Sequence, residues 1–512
     1  MPWKYENSLA RIQLHLDTMG EIQVSKLTRE ADLENLLTET TCRDIYGAHV
    51  YVQVSNFAHL VSYGAYTQDD YKHLIRDAHI YQRELTRIVE GLGGVVVHFQ
   101  GTKLHTLFYR PIDDSKKLAV RAVILQLVLK DFVRNIFNQA FTDYDDFTIA
   151  SGTDIGNAIG TSNGIRGDRE LLFLGAPANH AAKIISTAGR LRLTQNIYNA
   201  LPYSLQKYCD KTVEGMYQLK SVTSEELDAL LIAHSLVWDR SASVRRIDED
   251  KKRFPLSAII YSSAETSIDL DTLSIYNNKR VLAASIFADV SGFTSYIDSA
   301  KSEQDKKVAL RVFHAIRKEL ARVIKGDFNG LRIQYQGDRI QGLFHLPQDN
   351  MEAIAIKATK TAVGLQSSME HTLKSCLPEG GELRLAIGID LEITLVSKLG
   401  ARGQRDRICI GEPVEKAALY EERCKGGQIG VSRSIYDILP TDLRDFFVYS
   451  ATAQCYIATD LTEEKVERAA LAAFYRSGAP AYIQASTAGV RIHSQESSIA
   501  RKHVLAKPYS EN

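Results

Sequence analysis

Two acids stand where a carboxylate could grip a metal ion. Asp289 lies near the end of a continuous apolar run, Leu282 to Val290, and is followed at once by Ser291-Gly292-Phe293-Thr294. That pattern reads as a buried strand feeding the start of a helix. The carboxylate can hold a hard cation, the helix-start N–H groups can hold phosphate oxygens, and Gly292 lets a ligand approach the backbone closely. A helix cap is an equally ordinary use of Asp289. Asp338 closes Tyr335-Gln-Gly-Asp338, a turn between two strands, where aspartate is common for conformational reasons alone. The pair says more than either member. Where a strand end and a neighbouring turn meet, two carboxylates can bind two Mg²⁺ or Mn²⁺ ions a few ångströms apart.

Both motifs occur a second time, 236 residues earlier, without their acids. Tyr51-Val-Gln-Val-Ser-Asn-Phe-Ala58 carries Gln53 in place of Asp289, and Phe99-Gln-Gly-Thr102 carries Thr102 in place of Asp338. The loss runs the other way further on. Gly175-Ala-Pro-Ala-Asn-His-Ala-Ala-Lys183 holds Asn179 and Lys183, where Gly411-Glu-Pro-Val-Glu-Lys-Ala-Ala-Leu419 holds Glu415 and Leu419. The 236-residue offset persists from Gln53/Asp289 to Pro177/Pro413 and then slips to 238 at Ile197/Ile435. Such spacing marks a duplication. Neither copy is chemically complete, and facing copies would make one complete site and one dead one.

Each repeat reads as a βαββαβ unit. A strand (50–54; 282–290) precedes a polar-faced helix (69–90; 303–325), glycine-rich breaks, and a hairpin meeting at Gly101 or Gly337. A long helix (116–139; 350–374) then leads to another strand pair. The expected organisation is a helical lead-in over 1–44, repeats at 45–205 and 280–445, a connector at 206–279, and a final strand and loose tail over 446–512. Lysine plus arginine and aspartate plus glutamate are both 62, so no global basic field exists for sequence-blind nucleic-acid binding. The charged N-terminus argues against a secretory signal, and Arg121, Lys130 and Asp131 interrupt the most apolar helix. Cys42, Cys209, Cys376, Cys409, Cys424 and Cys455 lack CxxC spacing and read as reduced thiols of a cytoplasmic protein.

Phe287-Ala-Asp-Val-Ser-Gly-Phe-Thr294, Gln336-Gly-Asp338 and the Gly175-to-Asn179 motif resemble the class III adenylate/guanylate cyclase family, over both repeats. The resemblance implies an α+β fold of two ferredoxin-like domains packed head to tail as a pseudo-dimer. It implies two divalent ions, Mn²⁺ or Mg²⁺, on Asp289, Val290 and Asp338, and a nucleotide contacted by Gly292, Phe293 and Thr294. Asn179 would orient the ribose and Lys183 would stand where the family usually has arginine. Lysine offers a compact charge rather than a planar fork, and Lys183 also suits a surface helix. Arg384 would reach the β- or γ-phosphate, or else be a solvated strand residue. Arg166, Arg169, Arg402 and Arg405 fall in matching hairpins of both repeats and are assigned to structure.

At the base-reading positions this chain departs from the purine cyclases. Those positions are His98 and Leu172 in one half and Gln334 and Ile408 in the other, without the donor and acceptor set for adenine or guanine. An apolar wall with one histidine, and Tyr51 or Phe99 nearby, suits a pyrimidine. The pattern is similar to bacterial antiphage cyclases that make cyclic UMP or CMP, which would signal to a downstream effector protein. A purine cyclase with an unusual pocket and an inactive nucleotide-binding module remain alternatives, and pairing in cis or through a homo-oligomer stays open.

Overall fold

The computed structural model describes residues 2–62, 68–142, 145–163, 170–186, 188–401 and 403–476. Residues up to Val466 form one compact unit. Arg166, Arg169, Arg402 and the tail after Ser486 lie outside the described residues.

Each repeat builds a nine-stranded sheet, and the two sheets share one strand order. In the first repeat the order is Val95–Gln100, Lys103–Phe108, Thr41–Val54, Ile149–Asn163, Leu191–Leu193, Tyr217–Leu219, Cys209–Lys211. The second repeats it with Leu331–Gln336, Arg339–Phe344, Asn278–Ser291, Arg384–Leu399, Gln428–Val431, Cys455–Thr459 and Val448–Ser450. The first four strands of each row, with their two long helices, are the ferredoxin-like βαββαβ core. Alternation along the first strand explains its orientation. Val50, Val52 and Val54 enter the core with Leu104 and Phe108, which leaves Tyr51, Lys103 and His105 on the opposite face. Helices Gln68–Gly91 and Ser115–Phe132 cover the apolar side.

Several elements differ from the sequence reading. The first strands begin earlier than expected, at Thr41 and Asn278, because β pairing continues past the apolar run. The lead-in is not all helix. Helix Tyr5–Thr18 is followed by strand Gln23–Lys26, which runs parallel to Thr41–Asp44. The segment expected as connector contributes the hairpin Cys209–Lys211/Tyr217–Leu219 to the first sheet, and its charged stretch is helix Arg240–Arg253. That helix docks on the first repeat through Arg83 and Asp250, paired at 2.9 Å.

The two repeats exchange core side chains. Ile159, Leu172 and Leu174 of the first repeat are buried in the apolar cluster of the second. Leu395, Ile408 and Ile410, the equivalent positions 236 residues on, are buried in the cluster of the first. Polar contacts cross the boundary at equivalent positions but with different partners. Glu170 accepts from Arg317 at 2.6 Å and Arg332 at 3.0 Å, while its counterpart Asp406 accepts from the Phe99 N–H at 2.7 Å. The N-terminal helix adds a further tie to the second repeat. Trp3 donates to Ser368 at 2.7 Å, and Arg11 pairs with Glu319 and Asp327.

Because each core is finished by the other repeat, the two should unfold together. Leu174→Ala is expected to destabilise the protein by about 2–5 kcal/mol and to leave a single transition in urea. Separate melting of the halves would contradict the exchange. Asp406 supplies a pH test. Burial raises its pKa to about 7, opposed by its bond from Phe99. An acid raised in the folded state costs stability as pH climbs from the unfolded value toward that point. Asp406→Asn keeps an acceptor for Phe99 and should therefore raise the melting temperature at pH 8 while changing little at pH 4.

Candidate active site

Between the repeats lies a cavity of about 150 Å³ whose wall draws on both. Asp289, Phe293, Gly337, Asp338 and Arg339 come from the second repeat, and Tyr51, His98, His105, Leu172, Gly175 and Asn179 from the first. Asp289 sits on the central strand opposite Ala386, and Asp338 follows Gly337, whose φ of 74° makes the tight turn. The strand end and the turn are neighbours, as the sequence reading required. Asn179, on helix Ala176–Lys183, donates to Thr294 Oγ1 across the repeat boundary at 3.2 Å.

The two carboxyls are held against their own charge. Burial raises the pKa of Asp338 well above the usual range, and the Asp289 carboxylate raises it further. Burial likewise raises Asp289, against the attraction of Arg339 and then Lys183. Glu421 stands close by. It is pushed up to about 8 by burial, although Arg339 reaches it at 2.8 Å. Adjacent buried carboxyls that resist ionising fit a hard divalent cation, which would favour the ionised forms. Among the described residues no group of three or more His, Cys, Asp or Glu is set to hold a metal. An ion here would therefore complete its shell with water and phosphate oxygens, as magnesium commonly does.

Other expected residues fall in varied places. The Val290 side chain is buried in the core, so only its main chain can face a ligand. Gly292 takes the left-handed conformation, φ 87°, before helix Phe293–Ser299. Lys183 is exposed and outside the cavity wall, yet close enough to act on Asp289. Phe99 points into the core of its own repeat, so Tyr51 alone of that pair faces the cavity. Arg384 is not brought to the site. It pairs with Glu370 at 3.0 Å and with Asp460, on the strand edge, as a solvated residue does.

Local irregularity places His98. The pairing of Val95–Gln100 with Lys103–Phe108 shifts register between Val96 and His98, so Val97 is extra. Without that bulge Val96 and His98 would share a face. With it, Val96 enters the core while His98 turns to the cavity beside His105. The sequence reading missed Gln100, Lys103, His105, Gln336 and Arg339, which also line the cavity. Alternation after the Gly101-Thr102 turn was the available signal for Lys103 and His105.

The pseudo-symmetric counterpart is a larger cavity of about 370 Å³. It is lined by Gln53, Thr102, Glu415, Gln334 and Ile408, and shares Gln100, Lys103, Gln336 and Arg339 with the first. The counterparts of Asp289 and Asp338 there are Gln53 and Thr102, Glu415 replaces the asparagine, and Glu422 also lines the wall.

Groups from two duplicated halves gathered around one cavity invite comparison with known proteins. No family model matches the chain. A uridylate cyclase of Pseudomonas aeruginosa is 28% identical, over 96% of this chain and 98% of that protein. A second uridylate cyclase, from a Rhizobium species, is 25% identical over 79% of this chain and 80% of its own length. Among solved structures, a class III adenylyl cyclase-like ATP-binding protein from Pseudomonas aeruginosa superposes with a TM-score of 0.78, at 26% identity, covering 91% of this chain and 99% of that one. The chain is a homologue of these proteins, with the class III nucleotidyl cyclase fold in tandem.

In this cyclase homologue the two halves of the site meet within one chain. Asp289→Ala and Asn179→Ala proteins, mixed, should therefore show no rescue of activity. Specific activity of the unmodified protein should also be constant on dilution. Recovery of turnover in the mixture would mean that repeats pair between chains.

Proposed function

We propose that the chain converts a pyrimidine nucleoside triphosphate, UTP or CTP, to the 3′,5′-cyclic nucleotide and pyrophosphate. One observation carries this reading: Asn179 of one repeat and the Asp289–Asp338 pair of the other line a single cavity. The uridylate cyclase relatives support the base class, as does the histidine and leucine at the base-reading positions.

Asp289 and Asp338, with the main chain at Val290, would hold the divalent ions. Such ions supply Lewis-acid charge that lowers the pKa of the ribose hydroxyl and neutralises the triphosphate. The chain's own residues do the positioning. Asn179, tethered through Thr294, holds the ribose so that its 3′-oxygen is in line with the α-phosphorus. The 3′-hydroxyl gives up its proton to solvent water, and the new O–P bond forms as the bond from the α-phosphorus to the β-phosphate oxygen breaks and pyrophosphate leaves. Phe293 and Gly292 shape the phosphate end, and Lys183 answers the negative charge that builds at phosphorus. Positioning and charge neutralisation account for most of the rate in such transfers.

The cyclic product would act as a second messenger on an effector protein, in antiviral signalling within the cytoplasm. No described helix is long and apolar enough to cross a membrane.

Incubation with each of the four NTPs and Mn²⁺ should give pyrophosphate from a pyrimidine triphosphate and little from ATP or GTP. Asp289→Ala should lower that turnover by roughly 1,000-fold or more with the fold intact by circular dichroism. Selective turnover of a purine, or an unimpaired Asp289→Ala, would refute the reading.

A further inference from the structure

The turns at Gly101 and Gly337 are held from behind by different residues. In the first repeat the Gln82 amide donates to the Gly101 carbonyl at 2.7 Å. In the second, Arg317 Nη1 donates to the Gly337 carbonyl at 3.1 Å. Gln82 and Arg317 are equivalent, although they stand 235 residues apart rather than 236. Glu84-Leu85 and Arg87 match Glu319-Leu320 and Arg322 at the same offset. The π-helical turn Val323–Asp327 accounts for the difference, because it adds one position to the second helix before Gly330.

Arg317 does more than its twin. It is 1% exposed, and its Nη2 donates to Glu170 of the first repeat at 2.6 Å. One planar guanidinium therefore joins the Gly337 carbonyl to the other half of the molecule. The Tyr335 ring lies 3.7 Å from it, and the Tyr335 hydroxyl donates to the Arg317 carbonyl. These contacts hold the fork in place. Gln82 makes no such link. Its amide oxygen is buried with no hydrogen-bond partner among the described residues, and Asp406, in the place of Glu170, bonds to the Phe99 N–H instead.

Both ends of this link lead to the site. Gly337 directly precedes Asp338, and Glu170 opens the strand Glu170–Leu174 that runs through Gly175 into the helix bearing Asn179. Resting on the cyclase reading above, we infer that Arg317 is a positioning residue for the cyclisation, a clamp that sets the turn carrying Asp338 in one repeat against the strand and helix that carry Asn179 in the other. Arg317 is not part of the cavity wall, so it acts through Gly337 and Glu170 rather than on the nucleotide. In-line attack tolerates little error in such a frame. A misplacement of about 1 Å can cost roughly 100-fold in rate.

Arg317→Gln installs the residue of the other repeat, which keeps a donor for Gly337 and drops the tie to Glu170. With the triphosphate that the unmodified protein turns over best, kcat should fall roughly 10- to 100-fold, while KM and the Mn²⁺ concentration for half-activation stay within about twofold. The assay is run well below each variant's melting temperature, where a residue that only supports the fold would leave kcat unchanged. Glu170→Gln cuts the link from its half-buried end and should show the same split, which decides the matter if Arg317→Gln fails to fold. In the double variant the losses should not multiply, because both substitutions break one connection. Arg332→Gln removes a bond to Glu170 but none to the turn, and should keep kcat within about threefold. Unchanged kcat in Arg317→Gln or Glu170→Gln, a loss carried by KM, an equal loss in Arg332→Gln, or losses that multiply would overturn the inference alone. An unmodified protein inert with all four triphosphates would sink the proposed function and the inference with it.

Discussion

Neither repeat of this chain has a complete apolar core of its own. Ile159, Leu172 and Leu174 leave the first repeat to be buried in the second, and Leu395, Ile408 and Ile410 return the exchange. Each such side chain contributes about 1.5–3 kcal/mol by leaving water, and it does so only in the partner repeat. That reciprocity fixes how the halves face one another. Everything chemical depends on it, because the strand Glu170–Leu174 that carries Leu172 and Leu174 leads directly into the helix carrying Asn179. Packing thus sets the distance between groups that must share one nucleotide.

Around this apolar frame the polar contacts have diverged. Glu170 and Asp406 are equivalent, but one satisfies the buried Arg317 guanidinium and the other a backbone N–H of Phe99. The same divergence separates the cavities. In one, two carboxyls strain against each other under the attraction of Arg339 and Lys183. In the other, Gln53 and Thr102 stand where the paired acids were, and the carboxyls of its wall are Glu415 and Glu422.

The ferredoxin-like unit was legible from local signals. Apolar strands, polar-faced helices and Gly-Asp or Gly-Thr turns all carry short-range information. The hairpin Cys209–Lys211/Tyr217–Leu219 was not, because three-residue strands hold too few side chains to show alternation. Strand Gln23–Lys26 hid for the same reason, with a single buried side chain in four. Within the site, Asp289, Asp338, Asn179, His98 and Leu172 were named from motif and offset, and they do line one cavity. Arg384 was drawn elsewhere by Glu370 and Asp460, neither near it in sequence. Alternation could give the face of His105, but only strand pairing sets it against Tyr51, and only packing brings Arg339 near Asp289.

The amino-acid sequence alone determined that the chain is duplicated and that its chemistry is split, with acids in one copy and Asn179 in the other. Those are properties of residue type and spacing, which a linear string preserves in full. Tertiary structure decided which cavity closes around them, which faces His98 and His105 present, and which cations answer the buried acids. The reason is physical. A core exchanged between repeats and an ion pair to Glu421 are set by contacts between residues far apart in the chain. Their energies are realised only once the two sheets have met.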